Sequence, residues 1–308
     1  MSGLLLSKIS SLGLLLALGW LLGRLGLLKE ETRGGLAKLL LDVTIPAMIV
    51  SGLLGMGPAF FRSDPWPAML GGVAVGLGGL ALAWLPARVF ARDPSRRGTF
   101  LFLSSMGNSS FLPLPLSQSL WGGAGVLTCL AYVAGNNFVL FTLGIGLLSS
   151  SGRQGPPLAR DFLRTLFHPQ TLSFLAAGAM LGLGLSLPGW VMEPLGMLGN
   201  ATFPLAMVTV GAVLSDVRLD RGLDWRFQSG VAALKLLLLP GLALLVLKLL
   251  PLPRLASQLI LLEAAMPSLA SASLYARRFG GDEKQAAAAS LITTLLCPLL
   301  LAFWMGLL

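Results

Sequence analysis

Three ionisable side chains stand well inside apolar runs of this chain: Asp42, Lys235 and Glu263. A carboxylate at the centre of a bilayer costs at least about 2.5 kcal/mol on insertion scales, so its presence there points to a function. Glu263 lies one helical turn before Met266 and Pro267, on the same face as this break. There it can hold a proton or coordinate a cation. Asp42 sits near the end of its run, where it either shares in ion coupling or pairs with a loop arginine. Lys235 is expected to snorkel to the membrane surface rather than to meet a substrate.

A second set of residues could bind a ligand. Asn108, Ser109 and Ser110 follow Gly107 and precede Pro113 and Pro115, while Ser268, Ser271 and Ser273 follow Pro267. An unpaired backbone group in lipid costs several kcal/mol, so a break persists only where protein or a watery cavity satisfies it. The N-termini of half-helices carry partial positive charge and free N–H groups, which suit an anion. The chemistry implied is non-covalent capture of an anion, with asparagine and serine as added donors. The competing reading is a pair of ordinary proline kinks whose serines cap local carbonyls. Asn136 and Asn137 form another polar pair, which either bonds across to the Asn108 stretch or glues helices together.

The elements that must position these residues are membrane helices. Of the 308 residues, 55% are hydrophobic and 11% charged, whereas soluble domains carry about 25% charged residues. Apolar runs long enough to cross a bilayer recur along the chain. The sequence predicts ten spans, near Leu4–Leu22, Gly35–Leu54, Trp66–Leu85, Thr99–Ser119, Gly125–Leu148, Leu166–Leu187, Val191–Leu214, Ser229–Leu250, Leu255–Arg277 and Ala286–Leu308. The first, which contains Lys8 and Gly13, is expected to be a retained span rather than a signal peptide.

The formal charge of +9 does not indicate a nucleic-acid partner, because the basic residues fall in short loops. One loop carries Arg24, Lys29, Arg33 and Lys38. Alternate loops after it carry Arg88, Arg92, Arg96 and Arg97, then Arg153, Arg160 and Arg164, then Arg218, Arg221 and Arg226, then Arg277, Arg278 and Lys284. Lys8, Arg62, Lys248 and Arg254 fall on the other side. The excess of Lys and Arg marks the cytoplasmic side. Both termini are therefore expected outside the cell membrane and the basic loops inside.

The chain also repeats itself. Asp42-Val43-Thr44-Ile45-Pro46 matches Asn200-Ala201-Thr202-Phe203-Pro204, 158 residues later. "MGNSSFLPLPLSQ", from Met106, matches "MPSLASASLYARRFGG", from Met266, 160 residues later. Two matches at nearly one offset imply a five-span unit used twice. Because five is odd, the second copy is inverted, as in many secondary transporters. The expected organisation is an all-α membrane fold of two inverted five-helix repeats, residues 1–148 and 166–308, joined by a linker at 149–165. Helices 4 and 9 are broken and cross.

At these motifs the sequence resembles the auxin efflux carrier (PIN-like) transporter family. The resemblance rests on "GNSSFLPLPLSQSLWG" followed by "GNNFVLFTLG", on "LGNATFPLAMVTVGAVL" and on "AAMPSLASASLYARRFGGD". It implies a scaffold of helices 1, 2, 6 and 7, a transport domain of helices 3–5 and 8–10, and an architecture similar to sodium–proton antiporters and bile-acid symporters. It also implies efflux of a small organic anion by elevator-type motion, with Asn108, Pro115 and Pro267 at the crossover. The plant branch has a second proline where this chain has Ala272, and a long loop where this chain has about twenty residues. Both departures point to the compact bacterial branch and away from auxin as the substrate.

The expected substrate-binding residues are Asn108, Ser109, Ser110, Pro115, Asn137, Pro267, Ser268 and Ser271, with Glu263 and Asp42 for coupling to H+ or Na+. No cofactor or metal site is expected, since Cys129 and Cys297 are isolated and read as small buried residues. The expected partners are a small organic anion, the lipid bilayer and a second copy in a homodimer. A sodium-coupled symporter of bile-acid type is the runner-up. A non-transporting ligand sensor is a different class, weakened by the lack of an appended soluble domain. An enzyme is not expected: the single histidine, His168, lies outside the spans, no HExxH occurs, and Asp216 is too near the interface to form an aspartate dyad with Asp42.

Overall fold

Helices start and stop where the sequence supplies caps. The Asp224 carboxylate accepts from the N–H groups of Arg226 and Phe227, and that of Asp282 accepts from Gln285 N–H. Both are N-caps that satisfy otherwise orphaned donors. Gly280, with φ +84°, ends its helix in the left-handed conformation that favours glycine. The computed structural model describes residues 2–57, 59, 64–109, 112–150, 169–215 and 223–307. Ser110, His168, Asp216 and the linker beyond Ser150 lie outside the described residues.

The described residues form helices and no strand, as the sequence predicts. In chain order they are α1 (Ser2–Arg24), α2 (Glu30–Leu39), α3 (Ile45–Leu54), α4 (Trp66–Phe90), α5 (Pro94–Ser105), α6 (Pro113–Val139), α7 (Ile145–Ser150), α8 (Pro169–Gly182), α9 (Gly189–Leu214), α10 (Trp225–Ala233), α11 (Leu239–Leu249), α12 (Arg254–Ala264), α13 (Ala272–Phe279) and α14 (Glu283–Met305). Among the described residues, six helical runs are long and apolar enough to cross a bilayer: Glu30–Leu54, Trp66–Phe90, Pro113–Leu148, Gly189–Leu214, Trp225–Leu249 and Glu283–Met305. Gly13–Arg24 and Leu172–Gly182 are shorter apolar helices.

Two features differ from the sequence reading. Pro113 and Pro115 do not break a helix from within. They open α6, where a missing N–H costs nothing. The spans expected at Thr99–Ser119 and Gly125–Leu148 are joined within α6 through one non-helical residue, Gly122, at φ 59° and ψ −145°. Glycine alone takes that backbone without strain.

Three π-helical stretches link consecutive helices: Leu40–Thr44, Leu140–Gly144 and Leu234–Leu238. Two of them precede a proline, Pro46 or Pro240. A proline has no N–H, and its ring crowds the carbonyl four residues earlier. For Pro240 that carbonyl belongs to Leu236, and it accepts the Trp304 indole N–H at 2.8 Å. The widened turn thus finds its missing partner in a side chain of α14.

The chain divides into two compact units, Met1–Pro65, Ser110–Leu130 and Ala159–Asp216 in one, and Trp66–Ser109, Ala131–Leu158 and Val217–Leu308 in the other. The first unit is held by close backbone approach of α1 and α9. Gly19 faces the Val208 carbonyl, and Gly211 faces the Leu16 carbonyl, with no room for a methyl group at either. Arg33 donates to the Ala212 carbonyl at 3.1 Å, near the end of α9.

In the second unit, α4 and α6 meet in the same way. Gly72 faces the Tyr132 carbonyl, Gly135 faces that of Met69, and Asn136 donates to the Gly72 carbonyl at 3.5 Å. Asn136 therefore glues helices, the second of its two readings. Gly76 is likewise in close contact, with the Val139 side chain, whereas Gly182 of α8 has open space around it. The core of this unit includes Phe100, edge-on to Phe227 at 5.2 Å, with Leu103, Met106, Leu234, Ala272 and Ala289 around it.

Replacing Gly211 by alanine should destabilise the protein by about 1–3 kcal/mol, the usual cost of overpacking. Gly13→Ala in α1, where nothing lies within 4 Å, should not. Melting temperatures of the two purified variants check this.

Candidate functional site

The two interrupted helices of the second unit meet at their breaks. α5 ends at Ser105 and the chain runs on extended through Met106–Ser109. α12 ends at Ala264, and α13 begins at Ala272. The stretches run antiparallel and pair at Gly107 and Ser268, the one β-bridge among the described residues. Asn108 N–H donates to the Pro267 carbonyl at 2.9 Å, and Leu269 N–H donates to the Met106 carbonyl at 3.1 Å. The Ser268 hydroxyl donates to the Leu103 carbonyl at 2.9 Å. Each break therefore supplies the backbone partners that the other lacks, as a lipid-embedded chain requires.

One face of α14 completes the second break. The Ser290 hydroxyl donates to the Leu269 carbonyl at 2.9 Å, Thr293 Oγ1 accepts from Ser268 N–H at 3.1 Å, and Cys297 Sγ donates to the Ala265 carbonyl at 3.8 Å. Positions 290, 293 and 297 share a helix face. The stripe was visible in the sequence as two small hydroxyls and a thiol at helical spacing. Only the break tells what they serve.

Lys235 overturns the expectation that it snorkels outward. It is 1% exposed, among the largest fully buried side chains of the protein. Its ammonium donates to the Ala264 carbonyl at 3.3 Å and lies within electrostatic reach of Glu263 and Cys297. The physical reason is a better partner inside. The last carbonyls of a helix carry partial negative charge, and at the end of α12 a carboxylate adds to it. The π-helical stretch that carries Lys235 left no mark that a hydrophobic pattern could reveal.

The other predicted site residues divide by unit. Asn108, Ser109, Pro267, Ser268 and Glu263 are all buried in the second unit, around the paired breaks. Ser109 donates to the Gly107 carbonyl at 3.3 Å. Ser271, half-buried, precedes α13, and Asn137 is half-buried on α6. Pro115 lies in the first unit, in the first turn of α6. Asp42 also lies in the first unit, exposed, in a π-helical stretch. Among the described residues no cluster of three or more His, Cys, Asp or Glu could hold a metal ion.

Long apolar helices, two of the shorter ones broken and hydrogen-bonded at their breaks, and a buried acid–base pair define a multi-pass membrane protein of the transporter class. The chain belongs to the membrane transport protein family, which matches residues 5–305 and is the PIN-like family that the motifs resemble. It is similar to an uncharacterized transporter of Methanothermobacter thermautotrophicus, 28% identical over 303 residues and covering 94% of each chain. An uncharacterized transporter of Methanocaldococcus jannaschii is 24% identical over 301 residues, again with 94% of each chain covered.

Thr293→Val keeps the shape of α14 but leaves the buried Ser268 N–H without its acceptor. It should lower stability by about 1–3 kcal/mol, the cost of an orphaned buried donor. Thr293→Ser, which retains the hydroxyl, should recover most of that in the same thermal melt.

Proposed function

We propose that the protein is a secondary transporter, working as an efflux carrier, for a small organic anion such as a carboxylate. The substrate is held at the paired breaks by Asn108, Ser109, Ser268 and Ser271, with Asn137 and Pro267 beside them. The observation that carries this reading is the antiparallel pairing at Gly107 and Ser268, with polar side chains gathered at one place in an apolar unit. Ordinary proline kinks need no such pairing between distant segments. The ten-span, inverted-repeat topology read from the sequence is part of the same proposal, since broken helices at matching places of two repeats build substrate sites in transporters. Transport follows an elevator-type movement of the unit that carries the site. The protein sits in the cell membrane as a homodimer, with its termini outside and its basic loops in the cytoplasm.

Glu263 couples this movement to a proton. It is preferred to Asp42, whose carboxylate is exposed. Lys235, from the π-helical stretch after α10, lies within electrostatic reach of both Glu263 and Cys297 of α14.

The test is a thermal-shift screen of organic anions on purified protein at two pH values, with and without sodium, followed by counterflow in proteoliposomes. A ligand raises apparent stability by mass action. Sodium-dependent, pH-independent uptake would move the protein to the sodium-coupled class. Tight binding with no counterflow would make it a sensor.

Asn108→Ala should abolish stabilisation by that ligand while expression stays normal; unchanged affinity removes Asn108 from the site. Glu263→Gln should move the pH profile of transport more than the apparent affinity. A profile that stays in place refutes the coupling role.

A further inference from the structure

In that reading Lys235 is only a neighbour of Glu263, yet it touches both breaks. Its ammonium bonds to the carbonyl of Ala264, the last residue of α12. It also lies against Gly107 of the first break: a methyl group added there would come within 3.1 Å of Nζ and 3.7 Å of the Glu263 carbonyl oxygen. Gly107 thus leaves the room that the ammonium occupies. The carbonyl of the last residue of a helix, a buried carboxylate one residue before it and a gap between two extended segments make a place for a cation. Burying an ammonium in a membrane protein is costly unless such groups meet it.

We infer that the Lys235 ammonium is the resident cation of the paired breaks. It is supplied by the chain and neutralises Glu263 and the end of α12, so the pairing at Gly107 and Ser268 forms without a metal ion. Once vacated, the place accepts a small monovalent cation or a primary ammonium. This inference concerns the unliganded protein and does not depend on which anion is carried.

The experiment follows the melting temperature of the full-length protein without substrate. Lys235→Ala removes the chain beyond Cβ, which n-propylammonium replaces atom for atom. Lys235→Ala should melt well below the native protein. Propylammonium chloride should raise its melting temperature by about 3 °C or more, with little effect on the native protein. Recovery by sodium chloride would also support a cation place. Equal recovery by 1-propanol would overturn the proposal, because the loss would then be one of volume alone. A Lys235→Met variant that melts with the native protein would overturn it too. If Lys235→Ala does not fold, the double variant Lys235→Met/Glu263→Gln decides. It should melt above Lys235→Met, since it leaves no unpaired charge, and a melting point at or below that of the single variant refutes the inference.

Discussion

A backbone group in hydrocarbon has no water to turn to, and the architecture of the second unit follows from that constraint. Ending α5 at Ser105 and α12 at Ala264 leaves carbonyls and amides exposed in the middle of an apolar body. The chain answers by laying one break against the other, so that Met106 and Asn108 bond to Leu269 and Pro267. What this pairing leaves over is met by side chains: Ser268 reaches back to Leu103, and Ser290, Thr293 and Cys297 meet Leu269, Ser268 and Ala265. Removing helical structure from one segment therefore commits a second segment, and then a third helix, to repairing it.

The same rule acts on a smaller scale at the π-helical stretches. Pro240 displaces the carbonyl of Leu236, and Trp304 comes from the other end of the chain to bond it. The same widened turn carries Lys235 into the interior. Two prolines, one in a break and one after a π-helical stretch, thus lead through hydrogen-bond bookkeeping to the same small region of the second unit.

Much of this was legible in the sequence. Met–Gly and Met–Pro followed by small polar residues marked both breaks, and the matched spacing paired them. Glu263 was legible because an acid inside an apolar run is rare. Lys235 was misread, because distance from a loop is a poor guide when a π-helical stretch re-aims the side chain and a carboxylate waits inside. Pro113 and Pro115 look like breakers in an apolar run, although proline is as much at home in the first turn of a helix. Between the spans at Thr99–Ser119 and Gly125–Leu148 no full loop is needed, since the single residue Gly122 at positive φ is enough to kink the chain. The stripe on α14 has no meaning on its own, because hydroxyls in a membrane helix commonly bond their own backbone, as Thr293 also does to Ala289.

The last helix joins two places. At one end Asp282 caps α14, bonds Arg96 at 2.9 Å and gives its N–H to Thr99, while Gln285 pairs with Gln228 at 2.6 Å. About 16 Å further along, at 1.5 Å per residue, Thr293 holds the second break. α14 is thus held at its first turn and again near its middle. One helix carries both the cap residue that bonds Arg96 and the hydroxyl that meets the Ser268 N–H, so a change in its register would disturb both places together.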